Sequence, residues 1–304
     1  MLKYILKRLG MFVLTLFIVV SLTFFMMQLM PGTPFSNPKL SPDQLAVLSH
    51  TYGLDKPLWE QYFLYLSHIV TGNFGESFIY KNQPVLTMIA QRLPISMQFG
   101  IQAVILGTVI GVILGVLAAL RKNTWVDSII SFIAILGASV PSFVVGSLFL
   151  LLFGYTLQWL PIAGWDGFSS SIMPTLALSF ASISSVTKYV RSEMIESMNS
   201  EYILLARSKG LSEGEVVRKH ALRNSLMPLL TLLGPMFAGA ITGSVLLEKI
   251  FNIPGIGSQF VDSIPAKDFP VIMATTIVYA TALMLFILIT DVLMAIVDPR
   301  VRLS

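Results

Sequence analysis

Side chains with the types and spacing needed for chemistry are scarce in this chain. It has no cysteine, which excludes a thiolate nucleophile, a cysteine metal site and a disulfide framework. The three histidines, His50, His68 and His220, stand far apart and without metal-ligand spacing. No Gly-Lys dipeptide occurs, so there is no phosphate-cradling P-loop. The apolar stretches hold no His-Glu-x-x-His, no nucleophile elbow and no pair of aspartates at mid-depth. Charged groups crowd in one place, EYILLARSKGLSEGEVVRKHALRN, Glu201 to Asn224. What such a segment can do is pair ions and dock.

The elements around it are built for a bilayer. Of 304 residues, 55% are hydrophobic and 12% charged, about half the charge of an ordinary soluble domain; the mean hydropathy is +0.78. The pI of about 9.2 reflects a net charge of only +4, and basic residues in a membrane chain mark cytoplasmic loops, so nucleic acid is not the expected partner. A helix needs about 20 apolar residues to span. Six stretches qualify, at about 10–30, 96–120, 129–154, 172–190, 228–247 and 271–297. The first follows the basic start MLKYILKR; its apolar run is longer than a signal peptide's, and FFMMQLMPG offers no small-residue cleavage site, so a retained helix is expected.

Six spans put both termini on one side. Fourteen Lys and Arg fall on that side and six on the other, so the termini and the charged segment are expected in the cytoplasm. The opposite loop, 31–94, carries helix signals in SPDQ at Ser41 and in KPLWEQYFLYLSHIV, with Gly72 and Gly75 as breaks. Its aromatics Trp59, Tyr62, Phe63 and Tyr65 suit either an interfacial belt or substrate contact. Within the spans, Gly107, Gly111 and Gly115, and again Pro235, Gly239 and Gly243, recur every four residues and predict close packing seams. Pro141 and Pro174 are expected to bend or start helices. The fourth span is rich in Ser and Thr. Ser179, Ser182 and Ser185, with Ser184 and Thr187, are its candidates for a polar path, although they cannot all face one way. The central parts of the spans hold no ionisable residue, Asp291 lying near one end, so the energy of any pumping must come from another subunit.

Seven basic residues between Lys188 and Arg223 would cost roughly 20 kcal/mol at mid-bilayer, so that segment must be solvated. It reads as helix, glycine, helix. Asn199 or Ser200 caps the first helix, Glu201 lies in its first turn, Arg207 and Lys209 in its last, and Gly210 stops it. Ser212 and Glu215 form a capping box opening a second helix that runs to Pro228. Ile195, Met198, Tyr202 and Leu205 make an apolar face at helical spacing. Such a face lies on lipid, docks on its own chain, or fits a partner's groove, and physics alone leaves all three open.

The segment resembles the cytoplasmic signature of ABC importer permeases, with Ala206 and, four residues later, Gly210; Leu204 and Leu205 stand where other branches have Glu and Ala. ARSKGLSEGEVVRKHALRNSLMP is similar to the oligopeptide and dipeptide branch, and YGLDKPLWEQYFLYLSHIVTGNFGES and EKIFNIPGIG are typical of its B-type permease. One departure stands out. LRN occupies the place of the general Leu-Pro about a dozen residues after the glycine, and the proline comes at Pro228, which loosens comparison with sugar permeases.

The resemblance covers essentially the whole chain, and it implies an all-α polytopic fold of type I importer permeases with six transmembrane helices. Its parts would be 1–30, the N-terminus and first helix; 31–95, an extracytoplasmic helical insertion; and 96–304, a five-helix core holding a coupling loop at 191–227. It implies that Glu201, Tyr202, Leu205, Ala206, Arg207, Ser208, Lys209 and Gly210 form a helix inserted into an ATPase cleft, with Ser212, Glu215, Arg218 and Lys219 on the second helix. Implied partners are a second permease, two cytoplasmic ATP-binding subunits and an extracytoplasmic peptide-binding protein, in a bacterial plasma membrane. ATP and magnesium would sit on the partners and no cofactor on this chain. Import of nickel or another small cargo, an ATPase-independent channel, and a membrane scaffold are the alternatives.

Overall fold

In a computed structural model the chain is described over residues 2–29, 49–50, 53–80, 83–243 and 245–297. It is all-α; among the described residues the only extended pairing is an isolated bridge between Glu76 and Pro84. The helices are α1 Leu2–Gln28, α2 Leu58–Val70, α3 Val85–Leu120, α4 Trp125–Ser139, α5 Ser142–Phe149, α6 Phe168–Met198 and α7 Glu201–Ser208. Next, α8 starts at Glu213–Glu215, widens into π turns over Val216–Ala221 and returns to α geometry over Leu222–Leu226. Then come α9 Leu229–Gly243, α10 Val245–Ile250, α11 Ile256–Ala266 and α12 Phe269–Val297. The capping signal at Ser41 lies outside the described residues. The helix expected from KPLWEQYFLYLSHIV is α2, and Gly72 and Gly75 behind it take positive φ, as breaks require.

Among the described residues four helical stretches are long and apolar enough to cross a membrane: α1 over Leu6–Gln28, α3, α9 with α10 over Leu229–Ile250, and α12 over Phe269–Leu293. The α4–α5 pair makes a fifth if its limbs, bent by 102° at Pro141, count as one span. The expected fourth span lies within α6. That helix has 31 residues, about 46 Å at 1.5 Å each, but its serines and threonines keep it less apolar than the others. Pro174 sits inside α6 without breaking it.

The chain divides into two compact units, Ser96–Pro254 with Leu283–Ser304, and Leu2–Ile95 with Gly255–Ala282. In the first, α3 and α6 meet along the predicted glycine seam. A Cβ on Gly111 would stand 2.6 Å from Val186 Cβ, and one on Gly115 2.8 Å from both Val190 Cβ and Thr187 O. Gly137 of α4 faces Phe180 O of α6, and Gly146 of α5 faces Leu247 and Phe251. The second predicted seam differs. Gly239 has nothing within 4 Å of where its Cβ would be, while Gly234, one position before Pro235, makes the close approach, to Thr290 and Phe286 of α12.

In the second unit Val85, Met88 and Ile89 pack on Ile256, Val271 and Ala274, and Met27 packs on Phe269 and Ile272. Asp268 is buried before α12, where it accepts hydrogen bonds from the Ser77 hydroxyl and from Phe78 N at 3.0 Å. These bonds pin the 76–80 turn to the start of the last helix. The loop aromatics divide. Tyr62 and Tyr65 stack on Phe25 and Phe24 of α1, whereas Trp59 and Phe63 point outward, 63% and 62% exposed.

Gly111→Leu is expected to overpack the seam and destabilise the chain by about 1–3 kcal/mol. Gly239→Ala is expected to be neutral or slightly stabilising, because the site is open and Ala favours helix by up to about 1 kcal/mol. Thermal unfolding of the detergent-solubilised chain, read by fluorescence size-exclusion chromatography, separates the two.

Candidate functional site

Helix α6 ends at Met198, Asn199 and Ser200 turn the chain, and α7 starts at Glu201. Ser200 holds the N-cap position, but its hydroxyl bonds back to Ser197 O at 2.6 Å instead of capping α7. The break separates Ile195 and Met198 from Tyr202 and Leu205, so the four-residue apolar face expected from the spacing is not one continuous surface. A different pair turns inward. Ile203 and Ala206, 0% and 4% exposed, join Val186, Val190 and Met194 of α6, Val216 and Ala221 of α8, and Leu229. Burying Ile203 and Val216 is worth about 2 kcal/mol each. Ala206, which the resemblance places on the helix that meets an ATPase, packs here against its own chain.

Outside remain Tyr202, Leu204 and Leu205, exposed by 40%, 65% and 57%. Tyr202 shares a 2.7 Å hydrogen bond with Ser197, which steadies the ring. Gly210 takes φ +80 and donates its N–H to Arg207 O at 2.9 Å, closing α7 as a left-handed stop.

The α8 helix opens with the capping box foreseen in the sequence: Ser212 and Glu215 bond reciprocally. Gly210, Ser212 and Gly214 also spell the Gly-x-Ser-x-Gly of a nucleophile elbow. Ser212 is a helix cap with its hydroxyl on Glu215 and no strand before it, so that string has a structural role here. After Glu215 the turns widen, so Val216 and Ala221, five apart, both bury completely while Arg218 and Lys219 stay exposed. In a plain α-helix positions five apart point about 140° away from each other. No 3.6-residue pattern could have revealed this face.

The charges are partly spent inside the loop. Arg207 forks onto Glu213 at 2.8 and 3.1 Å, and Lys219 reaches Glu215 at 2.9 Å. The Arg207 guanidinium holds the Glu213 carboxyl below the usual carboxylate range, and Lys219 together with Ser212 does so for Glu215. Both pairs thus persist at neutral pH and weaken only as pH falls through those lowered values. Lys209 and Arg218 are exposed and make no ion pair among the described residues.

Sequence reasoning missed a third pair. Arg191, counted among the solvated cations, bonds Asp127 of α4 through Nε at 2.6 Å and a terminal nitrogen at 2.7 Å. The two side chains are 30% and 7% exposed. Asp127 also accepts from Asn123 N and the Ser131 hydroxyl. With Ser184 donating to Ala134 O, α4 and α6 are tied at two levels. Glu248 was missed as well. It is fully buried in the Leu229–Ile250 span and accepts from the Ser96 hydroxyl at 2.7 Å. An acid in the first turn of a helix was the available signal for both, and Glu248 also opens the motif EKIFNIPGIG, although neither signal points to a buried partner.

The path candidates scatter. Ser179 is buried and bonds Leu176 O, and Ser182 packs against Gly107. Ser184 is buried too, and Thr187 carries a buried hydroxyl without a partner. Only Ser185 is open, on a stripe with Ala181, Lys188 and Ser192.

Asp127→Ala is expected to lower the stability of the chain by about 2 kcal/mol, between the values for exposed and fully buried pairs. Asp127→Arg combined with Arg191→Asp is expected to recover part of that loss in the same unfolding assay.

The chain is similar to known proteins along its whole length. The profile of the family described as binding-protein-dependent transport system inner membrane component matches residues 111–303, and that of the N-terminal part of such membrane components matches residues 1–100. The chain is 71% identical over 303 residues to the dipeptide transport system permease protein of Lactococcus lactis subsp. cremoris, covering 100% of both. It is 42% identical over 305 residues to the oligopeptide transport system permease protein of Salmonella typhimurium, covering 99% of this chain and 100% of that one. A crystal structure of an amino acid ABC transporter with histidines superposes with a TM-score of 0.51 at 18% identity, over 71% of this chain and 94% of that one, a likeness of fold. A multi-pass helical membrane protein matched in this way along its whole length belongs to the family of binding-protein-dependent transport system inner membrane components.

Proposed function

We propose that the chain is the permease subunit of an ATP-driven importer of dipeptides or oligopeptides, with α7 as the element through which ATPase movement enters it. The observation that carries this reading is the split of α7. Ile203 and Ala206 fix the helix to the end of α6, and Tyr202, Leu204 and Leu205 stand uncovered on the other side. A helix rigid toward its own chain and apolar toward solvent suits insertion into a partner's groove.

In this reading two cytoplasmic ATP-binding subunits carry the ATP and magnesium, and this chain has no ATPase site of its own. A second permease completes the path, and an extracytoplasmic binding protein delivers cargo. Both termini face the cytoplasm of a bacterial cell, on the bias of Lys and Arg. The partners' closure pushes on α7, the core around Ile203 passes the push to α6, and the Asp127–Arg191 fork carries α4 along. The open stripe through Ser185 on α6 is the part offered to the second permease and the path. The cargo class rests on the names of the relatives, dipeptide and oligopeptide permeases that match end to end.

Replacing Leu205 by Glu is expected to remove the ATP-binding subunits from the purified complex and to cut peptide uptake about 30-fold, as loss of a roughly 2 kcal/mol hot spot does. The melting point of the chain itself stays unchanged, since Leu205 is exposed. Retention of both ATP-binding subunits and of uptake would sink the assignment of coupling to the outer face of α7, and recovery of the unsubstituted chain without any ATP-binding subunit would leave a channel or scaffold. Exchanging Arg207→Glu with Glu213→Arg keeps the clasp within the loop and inverts its outward charge. Lost uptake with a folded loop assigns Arg207 to the partner, and preserved uptake assigns it to the clasp.

A further inference from the structure

Transport as described leaves unused a cavity of about 440 Å³ in the unit formed by Leu2–Ile95 and Gly255–Ala282. Phe24 and Met27 of α1, Leu64 and Tyr65 of α2, and Phe269 and Met273 of α12 line it. Its size is that of a small-ligand site, about 300–1,000 Å³, and its wall is mostly apolar, as such sites are.

The depth of the cavity follows from how α2 lies on α1. Tyr62 shares a 2.6 Å hydrogen bond with Ser21, and Gln28 donates to Gln61 at 3.0 Å. Ser21 and Gln28 are seven residues apart, about 10 Å along the axis. The apolar span of α1 ends at Gln28, so α2 runs beside the last 10 Å or so of that span. Its outward Trp59 and Phe63 are the residues that favour the boundary between headgroups and acyl chains. The rest of α1 offers Leu14, Phe17 and Leu22 to lipid, each more than half exposed. Phe24 and Met27, by contrast, are turned away and buried, and bulk lipid does not reach them.

One polar group in the wall is left unsatisfied. The Tyr65 hydroxyl is buried and makes no hydrogen bond among the described residues, so a turn of the ring toward the cavity would gain it a partner in an occupant with an acceptor oxygen. A zwitterionic peptide would need counter-charges for both ends. Among the described residues the lining supplies Glu76 and His68 and no Lys or Arg. We propose that this cavity holds one acyl chain of a membrane phospholipid, from the leaflet at the C-terminal end of α1, with an ester oxygen of that lipid accepting the Tyr65 hydrogen bond.

The test uses the full importer complex in nanodiscs containing a diester phospholipid with a diazirine in mid-chain, followed by peptide mapping of the photoadducts. Adducts are expected on Phe24 and Met27 as well as on the exposed Leu14 and Phe17. Leu64→Trp fills the cavity and is expected to lower the Phe24 and Met27 adducts about five-fold while those at Leu14 and Phe17 stay constant. Tyr65→Phe keeps the shape and is expected to lower them about two- to five-fold for the diester lipid and not for its diether analogue, which lacks the carbonyl. This second variant stands if the first disturbs assembly. Adducts on Leu14 and Phe17 alone, or a photo-leucine tripeptide that labels Phe24 and Met27 and displaces the lipid adducts, would overturn the proposal.

Discussion

Ile203 and Ala206 bury one side of an eight-residue helix against the end of α6, and whatever the loop transmits passes through that contact. An isolated helix of two turns has no stability of its own in water, so α7 exists because its neighbours hold it. The cluster that holds it draws on three successive elements, α6, α7 and α8, together with Leu229 beyond them. Charge pairs then set the loop's outline: Arg207 to Glu213 across the glycine stop, Lys219 to Glu215 along α8. Neither pair contributes much to stability at an exposed surface. What they fix is which cations of the loop remain to meet another molecule, Lys209, Arg218 and Arg223.

The same logic runs up α6. The glycine seam with α3 lets two backbones approach, which in a bilayer replaces the hydrophobic force that lipid cannot supply. Gly111 and Gly115 face Val186 and Val190, and those two valines belong to the cluster that seats α7. Close packing of α3 on α6 and the seating of α7 are thus one continuous piece of side-chain packing.

Much of this was legible in the sequence, for reasons that can be named. The capping box at Ser212 and Glu215, the stop at Gly210, the helix behind Pro57 and the Gly107–Gly115 seam are local patterns, and local rules read them correctly. Where the outcome depended on a distant residue or on a change of helical period, the pattern misled. Tyr202 and Leu205 lost their expected partners because the chain breaks at Asn199 and Ser200, and the inner face of α8 follows π turns. Arg191 looked like one cation in a solvated run until Asp127, 64 positions earlier, arrived beside it. Among the described residues four of the six expected spans stand out by length and apolar composition, and a fifth does if the limbs that part at Pro141 count as one; α6, at the place of the other, carries serine and threonine at positions where the rest are apolar.

The 102° elbow between α4 and α5 has a bearing on where the bilayer can touch this chain. A proline that cannot donate and a helix that ends there leave backbone carbonyls without intrahelical partners. Ala138, Ser139 and Pro141 are exposed at this turn, and Phe132, Ile135 and Leu136 flank it. Hydrocarbon offers no donors, so lipid tails cannot wet such a bend without several kcal/mol per unmet group. The outside of α1 and the elbow therefore differ in what suits them as cover: hydrocarbon tails for the first, and the donors of water or of another polypeptide for the second.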